Sequence, residues 1–370
     1  MNTGRMISVL IKPASSACNL RCRYCFYADV SENREVASYG VMEKETVRLI
    51  AQRIDEALEH EGTANISFQG GEPTVAGLDF FRMFISVMKK YPGITVHYSI
   101  QTNGTLIDRE WAEFFHENHF LTGVSLDGYQ ANMDAFRFDP MHKGVYYKVL
   151  AGIDALKKAN AEYNILTVIT ADLGRHPKAL FDFFRSHKFE YVQLIPCLPG
   201  LNETDDMALT PELYRSFMTE FFDCWYKAVQ KGVRMEVNLF ENLLGMLQGQ
   251  PPYQCGMIGR CFVQYVIESN GDVYPCDFYC LDEYRLGNLR DSSFRQLAES
   301  GQAAYFLEGS ECRKAPCADC PFVDICSGGC RRQNVCYLND EMCGYRKVLE
   351  HVLPKLDRML QRYRYSQNMK

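Results

Sequence analysis

Ala17-Cys18-Asn19-Leu20-Arg21-Cys22-Arg23-Tyr24-Cys25-Phe26-Tyr27 places three cysteines within eight residues. A [4Fe–4S] cluster is normally held by four thiolates, so a cluster bound by these three keeps one iron open to an outside ligand. Taken alone, three close cysteines also fit a partial zinc site or a chance grouping. The residues just before them, Ser8–Lys12, predict a strand, so the cysteines fall in the loop that follows it.

Beyond that loop the sequence alternates β-rich runs with amphipathic helical patterns up to about Gly232. Strands are expected at Ser8–Lys12, Asn65–Gln69, Thr95–Gln101, Thr122–Leu126, Asn164–Thr170 and Tyr191–Pro196. Helical patterns lie between them; in Glu43–Leu58, Val47, Ile50, Ala51, Ile54, Ala57 and Leu58 recur on one face. The last, Pro211–Lys231, opens with Thr210 as N-cap and Pro211 in the first turn. Six strand–helix units imply a parallel α/β sheet covered by helices. Open sheets and barrels of this kind place their chemistry outside the carboxyl ends of the strands, where Cys18–Cys25 falls. Gln69-Gly70-Gly71-Glu72-Pro73 ends the second strand and Gln101-Thr102-Asn103-Gly104 the third, so both motifs share that end.

The 370 residues suffice for one large domain and a smaller one. A net charge of −6 without a basic run argues against a nucleic-acid partner. Residues 1–17 are too short in apolar content for a secretion signal, and no run approaches a membrane span. A cytoplasmic location is therefore expected, and there sixteen cysteines read as metal or cluster ligands rather than disulfides. The eight histidines avoid the cysteine-dense segments, which favours thiolate-only ligation, by iron–sulfur clusters or four-cysteine zinc sites.

Residues 250–345 carry eleven of the cysteines, many turn signals and little helical periodicity. Phe262–Ser269 and Asp272–Pro275 flank Asn270-Gly271, which predicts a hairpin with a two-residue type I′ turn. So small a segment has little apolar surface to bury, and inorganic clusters are the expected cross-links. Val348–Tyr363 predicts a closing helix, restarted or kinked at Pro354.

The C-x3-C-x2-C spacing of Cys18, Cys22 and Cys25 resembles the radical S-adenosylmethionine (radical SAM) superfamily. That resemblance implies a partial (β/α)6 barrel over residues 1–234, with SAM chelating the open iron and an electron from the cluster cleaving its sulfonium. Gly70-Gly71-Glu72, behind Gln69, resembles the family's SAM amino-group motif. Gln101 stands at the neighbouring strand end. Ser125 and Arg137 match positions that contact the ribose and carboxylate, and Tyr24 matches the aromatic near adenine. An arginine suits a carboxylate through its paired planar donors.

Cys261-x9-Gly271-x4-Cys276, then Cys317-x2-Cys320-x5-Cys326-x3-Cys330, then Cys343, resembles a SPASM domain, here 235–347, followed by the C-terminal helix 348–370. The resemblance implies two auxiliary [4Fe–4S] clusters, three in all. With Cys255 added, it assigns Cys255, Cys261, Cys276 and Cys330 to one and Cys317, Cys320, Cys326 and Cys343 to the other. Cys280, Cys312 and Cys336 flank these ligands and are open to exchange with them.

Lys12-Pro13-Ala14-Ser15-Ser16, Phe68–Thr74 and Tyr274-Pro275-Cys276-Asp277-Phe278-Tyr279 resemble the anaerobic sulfatase-maturating enzymes. These oxidise a Cys or Ser in an unfolded sulfatase segment, Cys/Ser-x-Pro/Ala-x-Arg, to Cα-formylglycine (3-oxoalanine). A 5′-deoxyadenosyl radical abstracts a Cβ hydrogen; Asp277 then matches the general base and Tyr27 an active-site tyrosine. A flavodoxin or ferredoxin would donate electrons, and the auxiliary clusters would carry the second electron outward. The alternative is a peptide maturase forming thioether or carbon–carbon cross-links. Many of those carry an N-terminal recognition domain, and only seventeen residues precede Cys18. A non-catalytic electron-transfer or zinc scaffold is a further alternative, against which Asp277 and the open-iron loop argue.

Overall fold

The structure is a computed structural model that describes residues 5–201, 206–309 and 313–368. The chain divides into two compact units that interleave along the sequence. The first comprises Met1–Leu126, Met133–Asn164 and Phe262–Gly309; the second comprises Asp127–Asn132, Ile165–Cys261 and Ser310–Lys370.

In the first unit β1 (Met6–Ile11), β2 (Gly62–Phe68), β3 (Ile94–Thr102) and β4 (Leu121–Ser125) pair in sequence order, all parallel. Helices Lys44–Ala57, Leu78–Met88 and Arg109–Glu117 connect them. Val47, Ile50, Ala51 and Ile54 of the first helix are fully buried, as its periodicity requires. Phe68 leaves β2 into the helical layer, 5.0 Å from the Phe81 ring and 5.1 Å from Phe84, both edge-on. Such aromatic contacts add about 0.5–1.5 kcal/mol each beyond the area they bury.

The predicted hairpin is present, but it does not stand alone. β8 (Val266–Ile267) pairs parallel with β1, and β9 (Asp272–Tyr274) pairs antiparallel with β8 and with β10 (Gly287–Asn288). The cysteine-rich segment thus extends the main sheet and borrows its core. Its turn also differs from the two-residue expectation. The register Ile267↔Val273, with Glu268 N–H bonded to the Asp272 carbonyl at 2.9 Å, leaves Ser269-Asn270-Gly271 as a three-residue loop. Gly271 alone takes positive φ, 91°, whereas a type I′ turn needs it at Asn270 as well.

The second unit holds β5 (Tyr163–Ile169) from Ile165 onward, β6 (Tyr191–Pro196) and the short β7 (Glu236–Val237), all parallel. β7 was not anticipated, since two residues carry no periodicity. Helix Pro211–Val229 begins as predicted, with Thr210 Oγ1 accepting the Leu213 N–H. The closing helix runs Gly344–Asn368 without a break, with Pro354 inside it. Val348, Leu349, Val352 and Leu356 are fully buried, so packing holds the helix across the bond that proline forfeits. Among the described residues, no helix is long and apolar enough to cross a membrane.

Candidate active site

The ends of β1, β2 and β3 carry the first unit's functional loops. Cys18, Cys22 and Cys25 are each half-buried in the loop after β1. Leu20 N–H donates to Cys18 Sγ at 3.3 Å, and Asn103 Nδ2 lies 3.9 Å from it. Asn103 also donates to Asn19 Oδ1 at 2.8 Å, fastening this loop to the end of β3. Burial pushes the Cys18 thiol up to about 11.

The Gly70-Gly71 turn lies directly against this loop. Gly71 has φ 52°, and a Cβ there would collide with the Ala17 carbonyl, so only glycine permits the approach. Glu72 N–H donates to that same carbonyl at 2.8 Å. The Glu72 side chain is buried and already occupied. Oε1 accepts from Thr74 Oγ1 at 2.6 Å and Thr102 Oγ1 at 2.7 Å, and Oε2 from Asn103 N–H at 2.6 Å. It acts as a brace between the β2 and β3 loops.

Arg137 is buried with Nη1 3.9 Å from Cys22 Sγ, and its guanidinium lies over the Tyr24 ring, 5.3 Å from the centroid. Those two expected residues are therefore neighbours at the cysteine loop. Ser125 closes β4, half-buried, and Gln101 lies exposed on β3.

The second constellation surrounds Asp277. Tyr27 Oη donates to Asp277 Oδ2 at 2.5 Å, and Gln69 Nε2 donates to the same oxygen at 3.1 Å. Oδ1 is buried and makes no hydrogen bond among the described residues; Lys12 Nζ stands 3.6 Å from it, at ion-pair distance. Burial raises the Asp277 carboxyl above the ordinary range, and Lys12 only partly opposes that.

Lys12 was not anticipated. Its ammonium is buried among Cys280 Sγ at 3.2 Å, Asp277 Oδ1 and Glu268 Oε1 at 3.8 Å, and lies 5.0 Å from the Tyr27 ring centroid. Arg34 Nη1 binds the same Glu268 oxygen at 2.7 Å. Burial works to raise Glu268, but Lys12 and Arg34 prevail and hold it below the usual carboxylate range. Two buried cations thus face two buried carboxylates. Cys280, pushed by burial up to about 12, is a neutral thiol beside the lysine. The signal for Lys12 is slight: a lysine directly after an apolar strand. Arg34 and Glu268 gave none, and Asn103 was marked only by its place in the motif that ends the third strand.

In the second unit Cys317, Cys320, Cys326 and Cys343, the four cysteines expected to share a cluster, line one cavity. Buried Cys336 instead donates its thiol to the Cys197 carbonyl at 3.2 Å. Cys255, Cys261 and Cys330 also lie in this unit, and burial, then Cys330, raises the Cys261 thiol. Cys276 lies in the first unit, and Cys312 lies outside the described residues.

Comparison with known proteins places the chain in a family. Residues 13–184 match the family model of the Radical SAM superfamily and residues 255–321 that of SPASM, an iron–sulfur cluster-binding domain. The matched domains and the fold are those of a radical SAM oxidoreductase with a SPASM domain. A cysteine-type anaerobic sulfatase-maturating enzyme of Clostridium novyi is 43% identical over 89% of this chain and 88% of its own. One from Clostridium perfringens is 38% identical over 95% of this chain and 97% of its own. The solved structure of native anSMEcpe with bound AdoMet and Kp18Cys peptide superposes with TM-score 0.88 at 36% identity, covering 97% of this chain and 100% of that one. This chain belongs to the anaerobic sulfatase-maturating enzymes.

Proposed function

We propose that this enzyme oxidises a cysteine in an unfolded Cys-x-Pro/Ala-x-Arg segment of a sulfatase to Cα-formylglycine, with Asp277 as general base. The observation that carries the assignment is Asp277 Oδ1, a buried carboxylate oxygen without a hydrogen bond, on a side chain whose other oxygen is held by Tyr27 and Gln69. The cysteine preference follows the cysteine-type relatives.

The residues present fit the implied cofactors. Three half-buried thiols share the loop after β1, a glycine turn lets the backbone approach it, and a buried arginine stands beside Cys22. Cys18, Cys22 and Cys25 would hold the SAM-binding cluster. Arg137 would pair with the SAM carboxylate, Gly70 and Gly71 would receive its amino group, and Tyr24 would pack near adenine. The remaining cysteines of the two sequence-derived sets would hold the auxiliary clusters.

SAM bound at the reduced cluster supplies a carbon radical able to take a hydrogen atom from the target Cβ. The chain's own task is the thiol proton; the electron left over would pass to the auxiliary clusters, and water would hydrolyse the resulting thioaldehyde to the aldehyde with release of sulfide. Asp277 Oδ1 accepts the thiol proton, and its raised pKa makes the carboxyl a better proton acceptor than an exposed aspartate. Tyr27 and Gln69 fix the carboxylate plane, and Lys12 compensates its charge before transfer. We place the enzyme in the cytoplasm, reduced by a flavodoxin or ferredoxin, with module boundaries near residues 234 and 347.

Anaerobic incubation with SAM, reductant and a Cys-x-Pro-x-Arg peptide tests the reaction. The peptide should lose about 18 Da, as formylglycine replaces cysteine, against about 2 Da for a cross-link. An unchanged peptide mass alongside active SAM cleavage would refute the assignment.

A further inference from the structure

Cys326-Ser327-Gly328-Gly329-Cys330 joins a ligand of one auxiliary cluster to a ligand of the other, in the sets proposed above. Ser327, Gly328 and Gly329 have φ of 48°, 88° and 82°, which curls the segment tightly. Tyr337 packs on its inner side so closely that a Cβ on Gly329 would collide with the phenol oxygen.

The Tyr337 ring lines the cavity of Cys317, Cys320, Cys326 and Cys343. Tyr214 and Tyr345 hold it in place, with ring centroids 5.2 and 5.3 Å away. Its hydroxyl oxygen accepts the Cys330 N–H at 3.3 Å. The phenol's own proton has no acceptor among the described residues. Buried donors are almost always satisfied, so the partner is expected to be a group bound at Cys330. Tyr345 differs: its hydroxyl is directed to Met257 Sδ at 3.6 Å.

We propose that Tyr337 is a positioning residue whose hydroxyl donates to sulfur at the Cys330-ligated auxiliary cluster and raises that cluster's reduction potential. A hydrogen bond to cluster sulfur withdraws electron density and stabilises the added electron of the reduced form. The same phenol fixes the Cys330 amide, so one residue both seats the ligand and sets its electronic environment. The inference rests on the cluster reading of the function.

The test is an EPR-monitored redox titration of the full-length, cluster-loaded protein, with iron and sulfide analysis. Tyr337→Phe should keep its iron and lower one auxiliary potential, leaving the other auxiliary couple and the SAM-binding couple unchanged. Tyr345→Phe should move none. Unchanged potentials in Tyr337→Phe, or an equal shift in Tyr345→Phe, would overturn the proposal. If Tyr337→Phe loses iron, 3-fluorotyrosine at position 337 keeps the ring and hydroxyl but is a stronger donor. It should raise the same potential, and a failure to do so also overturns the proposal. Wild-type protein that takes up no iron would instead refute the cluster reading itself.

Discussion

Three neighbours of Asp277 treat its two oxygens differently. Tyr27 and Gln69 hold Oδ2, while Oδ1 meets only the Lys12 charge. In Asp277→Asn the side chain keeps its size but loses the capacity to accept a proton. Peptide oxidation should fall by about 10²–10⁴ while SAM cleavage continues; product mass and 5′-deoxyadenosine, assayed side by side, check this. Lys12→Met removes the cation that Asp277 and Glu268 share. Breaking a buried ion pair from one side costs about 3–5 kcal/mol, so anaerobic chemical denaturation should show a large stability loss. Peptide oxidation should fall more than SAM cleavage.

At the level of elements, the turn after β2 has no room for a side chain at Gly71. Gly71→Ala would drive a methyl group into the Ala17 carbonyl, one residue from Cys18. The expected result is weaker SAM binding and loss of iron from the SAM-binding cluster alone, measured by calorimetry and iron analysis. The cap of helix Pro211–Val229 is an ordinary stability device by contrast. Thr210→Ala should cost about 1 kcal/mol with no effect on SAM cleavage. β8 shows what pairing does that local sequence cannot. Its register with β1, Ile11↔Ile267, brings Lys12 alongside Glu268 one step further on.

Across the whole molecule the cysteines separate by environment. Four line one cavity, three occupy the β1 loop, and Cys336 and Cys280 are buried thiols with protein partners. If three clusters are bound, Cys18→Ala should abolish SAM cleavage yet retain about two-thirds of the iron. Iron analysis showing no loss would contradict the assignment of Cys18.

Strands β1 to β6, their parallel arrangement and the cysteine loop were legible in the sequence from short-range patterns, whereas Gly70-Gly71 and Asp277 stood out through motifs that resemble the family's. Alternation, helical spacing and ligand spacing are short-range patterns, and chemistry of this kind demands them. Lys12, Arg34, Glu268 and the role of Glu72 as a brace were not legible. A lone charged residue reads as solvated unless the fold buries it, and only long-range pairing shows which charges are enclosed together. The same holds for Tyr337. Its aromatic body could be guessed to be buried, but the partner of its hydroxyl depends on a turn closed by residues elsewhere in the chain.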